Sequence, residues 1–160
     1  MKKRTRKSGN AEGERVSFPP RESAGYLVRD AHRAFQSLLE QRIAPFGVTR
    51  GQWYFLRVLW TQDGVSQREL SERVGMMEPT TVIALQSMEK AGLVRRERST
   101  EDKRKAQVWL TPKAKKLKAR LLPVARHITM QAREGVTRAE FELFRDVIAR
   151  MTANLDKLKR

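Results

Sequence analysis

Ser66-Gln67-Arg68-Glu69-Leu70-Ser71-Glu72-Arg73-Val74-Gly75, followed from Glu78 by Glu-Pro-Thr-Thr-Val-Ile-Ala-Leu-Gln-Ser-Met-Glu-Lys-Ala-Gly-Leu-Val94, is the stretch whose reading decides the fold. Ser66 and Glu69 have the spacing of a capping box, in which each side chain satisfies a free backbone N–H of the other residue. Leu70 and Val74 give a short apolar stripe, and Gly75 supplies the left-handed residue that stops a helix. After a short turn, Pro79 suits a first helical position because no N–H is needed there. Val82, Leu85 and Met88 then share one face, and Gly92 is the second stop. Two short helices joined by a tight turn predict a helix-turn-helix, whose second helix enters the major groove of DNA.

Downstream, Val94-Arg95-Arg96-Glu97-Arg98 and Ala106-Gln107-Val108-Trp109-Leu110 flank a charged run. Val94, Val108 and Leu110 alternate, which predicts a two-stranded hairpin with a long charged tip. Thr111-Pro112 opens a helix with Leu117, Leu121, Val124, Ala125 and Ile128 on one stripe and lysines outside. Pro123 inside it predicts a kink. Thr137 and Glu140 form another capping box, starting a last helix whose Phe141, Phe144, Ile148, Met151, Leu155 and Leu158 make a narrow seam. So narrow a seam predicts a partner helix.

Upstream, Thr49 and Gln52 cap a helix, Gln52 to Thr61, that is apolar nearly all round, predicting burial on most sides. Its one charge, Arg57, needs a partner there, either a carboxylate such as Asp30 or an anionic ligand. The first helix begins at Ser23 and stops before Pro45. Its Val28, Ala31, Phe35, Leu38 and Leu39 form a second seam, with His32 close beside it. The two terminal helices are therefore expected to pack together and against a second copy, with Val28 and Phe35 in the interface.

The chain carries a formal net charge of +16, no cysteine and two histidines, His32 and His127. Disulfides, thiolate metal sites and thiol redox sensing are excluded, no metal or cofactor is expected, and a cytoplasmic location is. Residues 1–22 hold seven basic and three acidic side chains. This arm, with Lys2, Lys3, Arg4, Arg6 and Lys7, either follows DNA phosphates or solubilises the chain. Residues 111–160 hold thirteen basic and five acidic side chains. Such charge favours a polyanion as partner. A membrane surface is the poorer fit, because no broad exposed apolar face opposes the basic residues. Nothing resembles an enzyme: there is no Gly-rich phosphate loop, no His-Glu-Xaa-Xaa-His and no inward pair of carboxylates.

From Ser23 to the C-terminus the chain resembles the MarR-type winged helix regulators. The resemblance rests on Ala44-Pro45-Phe46-Gly47-Val48-Thr49, Gln67-Arg68-Glu69-Leu70, Met88-Glu89-Lys90-Ala91-Gly92-Leu93-Val94, and Asp102-Lys103-Arg104 followed by Val108-Trp109-Leu110-Thr111-Pro112-Lys113. It implies a mainly α winged helix-turn-helix of about six helices and a two-stranded wing. The lobe would span 46–111, with a helical dimerisation region from 23–45 and 112–160. It further implies a homodimer on a near-palindromic operator in double-stranded DNA, commonly as a repressor. A small molecule between the dimer helices and the lobe would weaken its grip. The alternative is a constitutive architectural DNA-binding protein with no effector.

The residues expected at DNA are Ser66, Gln67, Pro79, Thr80, Thr81, Ile83, Gln86, Ser87 and Lys90, and, on the wing, Arg98, Asp102, Lys103, Arg104 and Lys105. Exposed Ile83 fits a thymine methyl, while Thr80, Gln86 and Ser87 fit base edges or phosphates. Where Ile83 and Ser87 stand, the family often carries arginines, so guanine readout is expected to weaken and phosphates and shape to matter more. Matching the family pattern makes Arg104 the minor-groove residue, with Asp102 orienting it or pairing with Arg98. His32, Trp53, Arg57 and Trp60 are expected near the family's cleft, where aromatic walls and a cation would suit an aromatic or acyl anion. Core packing explains the tryptophans equally well.

Overall fold

The computed structural model describes residues 18–98, without the Arg98 side chain, and residues 106–159. The chain divides between Ala34 and Phe35 into two compact units. The first holds a short 3-10 turn, Pro20–Glu22, and the first half of α1, Ala24–Ile43. In the second, α1 ends in a 3-10 turn, Ala44–Phe46, and α2 runs Arg50–Leu59. Then come β1, Val65–Ser66, α3, Gln67–Val74, α4, Glu78–Lys90, β2, Val94–Arg98, β3, Ala106–Leu110, α5, Pro112–Ala132, and α6, Arg138–Lys157.

The helix boundaries follow from local chemistry. At Thr49 both halves of the box form: its hydroxyl accepts from Gln52 N at 3.3 Å, and Gln52 Oε1 accepts from Thr49 N at 3.0 Å. Thr137 and Glu140 do the same at the start of α6. At Ser66 only half of the expected box forms. Its hydroxyl accepts from Glu69 N at 3.2 Å, but the Glu69 carboxylate is held by Arg73 one turn on. Gly75 and Gly92 take the left-handed conformation after α3 and α4 (φ 71° and 66°), as helix stops require.

The expected two-stranded hairpin is present as β2 and β3, and a third short strand joins it. β1 pairs with β3 through Val65 opposite Val108, giving an antiparallel sheet of order β1-β3-β2. Gly64, at φ +74°, places its N–H on the Val108 carbonyl at 3.0 Å and so turns Val65 alongside β3. The Trp109 ring lies over Gly64 so closely that a Cβ there would sit 2.4 Å from it. A two-residue strand has no alternation to read, which is why the periodicity misses it.

The core draws on every helix of the lobe: Ile43, Phe55, Leu56, Leu59, Leu70, Leu85, Met88, Leu93, Val108 and Leu121 are fully buried. Each such side chain contributes about 1.5–3 kcal/mol of apolar burial, which makes this cluster the main stabilising term. α2 is its central rod, as its composition predicts, but Arg57 is exposed rather than buried. Its guanidinium sits 5.6 Å from the Trp53 ring with its head in water, so no partner carboxylate is required. Asp30 instead meets Arg29 at 3.2 Å and Arg33 at 3.9 Å.

The first turns of α5 fasten the lobe together. Thr111 Oγ1 donates to Gly92 O at 2.7 Å, Lys113 Nζ to Ala91 O at 2.8 Å, and Lys118 Nζ to Trp60 O at 2.9 Å. Lys113 and Lys118 thus place cations on the carbonyl ends of α4 and α2, where the helix dipole favours them. Asp63 accepts from Leu110 N at 2.8 Å and pairs with Lys115 at 3.0 Å, joining the turn after α2 to β3 and α5.

Candidate nucleic-acid interface

α4 buries one face and offers the other to solvent. Thr81, Leu85 and Met88 are fully buried, while Pro79, Thr80, Ile83, Gln86, Ser87 and Lys90 are exposed. The split follows the 3.6-residue period, since 81, 85 and 88 fall on one line. Thr81, expected at DNA, is therefore in the core and out of reach of any duplex. Its hydroxyl has no hydrogen-bond partner among the described residues. The side chains of Thr80, Gln86, Ser87 and Lys90 make no hydrogen bond with any described residue, so their polar atoms are available to a ligand. Ser66 and Gln67 are half-buried where α3 begins, and Ser66 already spends its oxygen on the Glu69 cap.

One contact that sequence spacing does not reveal fixes this face. Arg96 on β2 donates to Glu89 on α4 at 2.6 Å, with both side chains about 70 % buried (27 % and 31 % exposed). The hydrogen bond from Arg96 holds the Glu89 carboxyl below its ordinary value, against the opposing effect of burial. The same bond raises the Arg96 guanidinium further above its ordinary value. An ion pair across two elements orients α4 relative to the wing strands; nothing local in the sequence marks it. The wing tip itself, Asp102, Lys103, Arg104 and Lys105, lies outside the described residues, as do the Arg98 side chain and residues 1–17.

Behind the lobe, a cavity of about 730 Å³ is lined by Trp53, Tyr54, Arg57, Leu122, Pro123, Ala125, Arg126 and Thr129. The structure brings Trp53 and Arg57 together there, and adds Tyr54 and Arg126, which sequence reasoning passed over. Burial pushes the Tyr54 phenol up, partly offset by Arg50, so it remains a hydrogen-bond donor at neutral pH. Trp60 does not line this cavity. Its indole N–H is committed to Ala114 O at 3.0 Å, which makes it a core residue. His32 belongs to the first unit, where it is exposed.

No residue of α6 among those described is buried. Phe144, Met151, Leu155 and Leu158 are exposed, as are Val28 and Phe35 on α1, while Phe141 and Ile148 are half-buried. A second cavity, of about 430 Å³, is lined by Phe35, Phe141 and Phe144 together with the end of α5. Arg133 lies there with its guanidinium 4.0 Å from the Phe141 ring. Among the described residues, no group of His, Cys, Asp and Glu could hold a metal ion, and no helix is long and apolar enough to cross a membrane.

Residues 46–105 match the MarR family. The chain is similar to the transcriptional regulator PA3341 at 33 % identity, over 83 % of this chain and 98 % of that one, with a TM-score of 0.75. A MarR transcriptional regulator from Methanosarcina mazei Go1 is 28 % identical, over 82 % and 96 % of the two chains, with a TM-score of 0.75. The transcriptional repressor CouR, in a structure bound to a 23-mer DNA duplex, is 26 % identical over 82 % and 94 %, with a TM-score of 0.76.

Proposed function

Since the chain belongs to the MarR family of winged helix transcriptional regulators, we infer that it binds double-stranded DNA sequence-specifically as a homodimeric repressor in the cytoplasm, and that a small anionic effector releases it. The observation that carries this reading is the exposed face of α4, whose polar side chains have no partner among the described residues. The face is held by a fully buried opposite side and by the Glu89–Arg96 pair. The similarity to CouR, whose structure is bound to a 23-mer DNA duplex, supports DNA as the partner.

Energetics support a second copy. An amphipathic helix of twenty residues with no buried side chain leaves its apolar seam in water. Covering Phe144, Ile148, Met151, Leu155 and Leu158 removes that cost, at about 25 cal/mol per Å². Two lobes then address two half-sites of a near-palindrome. In this reading the wing supplies the rest of the grip: Arg104 enters the minor groove, with Asp102 orienting it or pairing with Arg98, and Lys103 and Lys105 neutralise phosphates.

The effector occupies the cavity between α2 and α5. Its aromatic wall, two guanidiniums and a protonated phenol, with no carboxylate in the lining, suit an aromatic or acyl anion. A net charge of +16 and the absence of arginine from the exposed face of α4 favour one other reading, a constitutive architectural protein. Footprinting on genomic fragments separates the two. Protection of one discrete palindrome supports the repressor, whereas continuous protection with rising protein concentration overturns it.

A further inference from the structure

We propose that Ile83 reads the 5-methyl group of a thymine in each half-site and is the main base-discriminating contact of α4. The proposal rests on the DNA-binding reading above. At 3.6 residues per turn, Ile83 lies almost diametrically opposite the line through the buried Thr81, Leu85 and Met88. It therefore stands near the mid-line of the exposed face, which Lys90 shares two turns further on. Pro79 and Gln86 flank it on one side, and Thr80 and Ser87 on the other. Ile83 is 68 % exposed.

The charges near this face lie off its centre. Glu89 is tied to Arg96, Glu78 sits to one side in the first turn, and Lys90 lies in the last turn. The middle of the face thus presents one branched hydrocarbon, flanked by the Pro79 ring and by the neutral polar side chains of Thr80, Gln86 and Ser87. On the floor of the major groove the one apolar feature is the thymine methyl. Against guanine or cytosine, the same isoleucine would cover polar base atoms without offering a hydrogen bond, at a desolvation cost. The preference is thus set twice, by the methyl gained at thymine and by the polar edge stranded elsewhere. Gln86, within reach on the same face, has the amide geometry that pairs with adenine.

Deoxyuridine differs from thymidine only by lacking this methyl, which makes the proposal directly measurable. The full chain is used to select tight duplexes from a random pool, and each thymine of the selected half-site is then replaced in turn by deoxyuridine. One position per half-site should weaken binding about four-fold, the value of one buried methyl group, and replacement in both half-sites about fifteen-fold. Ile83→Ala should bind the thymine and uracil duplexes equally, while Ile83→Val, which keeps a branched chain, retains part of the difference. Wild-type protein that distinguishes selected from scrambled duplexes yet ignores every uracil overturns the proposal and leaves the DNA-binding reading standing. Ile83→Ala as sensitive to uracil as wild type also overturns it. If no duplex is enriched, the DNA-binding reading fails and this proposal with it.

Discussion

Two residues decide how rigidly α4 is presented. Gly64 has a left-handed φ and the Trp109 ring against its α-carbon, so Gly64→Ala meets both backbone strain and a clash. Denaturant unfolding should show a loss of about 1–3 kcal/mol, with β3 shifted from its place. Glu89 offers a pH test. Its folded pKa lies below the ordinary 4.5 because Arg96 donates to it. A depressed carboxyl contributes stability above its unfolded value and loses it as pH falls through the folded one. Wild-type stability should therefore drop by about 1 kcal/mol more than that of Glu89→Gln on acidification below about pH 4.5, followed by thermal melts across that range. Parallel pH curves for the two proteins would remove the pair from the account.

At the scale of elements, what was legible is what is local. Thr49, Thr111 and Thr137 each cap the helix predicted after them, and the left-handed glycines stop α3 and α4 where their spacing says. What was not legible depends on residues far apart in the chain. β1 exists because of a turn at Gly64, Arg126 joins Arg57 at one cavity only once α5 meets α2, and Glu89 finds Arg96 only across the fold. Thr81 misled because a threonine among polar residues does not announce its face, although its spacing from Leu85 and Met88 does. Arg57 misled because an apolar run predicts burial for every member, whereas a long side chain can leave along an aromatic surface. Within one chain α6 has no buried residue, so its start rests on the Thr137–Glu140 capping box. Thr137→Ala should fray it, at about 1 kcal/mol, seen as lost helicity by circular dichroism. Trp60→Phe should cost a similar amount in unfolding free energy, by removing the hydrogen bond to Ala114.

For the whole molecule, the proposed dimer would make the exposed seam of α6 and the presentation of one α4 per lobe parts of a single property. Ile148→Asp should yield monomers in sedimentation velocity and weaken operator binding about 100-fold or more, because the second lobe no longer binds at high effective concentration. The excess of basic residues predicts a steep salt response. Neutralising roughly 6–10 phosphates should lower affinity about 10³–10⁵-fold between 50 and 200 mM salt. Charge alone would give that slope on any sequence, so the decisive quantity is discrimination. It is measured by fluorescence anisotropy at about 150 mM salt, comparing a selected duplex with a scrambled one of the same composition. Binding of the selected duplex tighter by about 10³-fold or more is the predicted result; equal affinity for the two would contradict it.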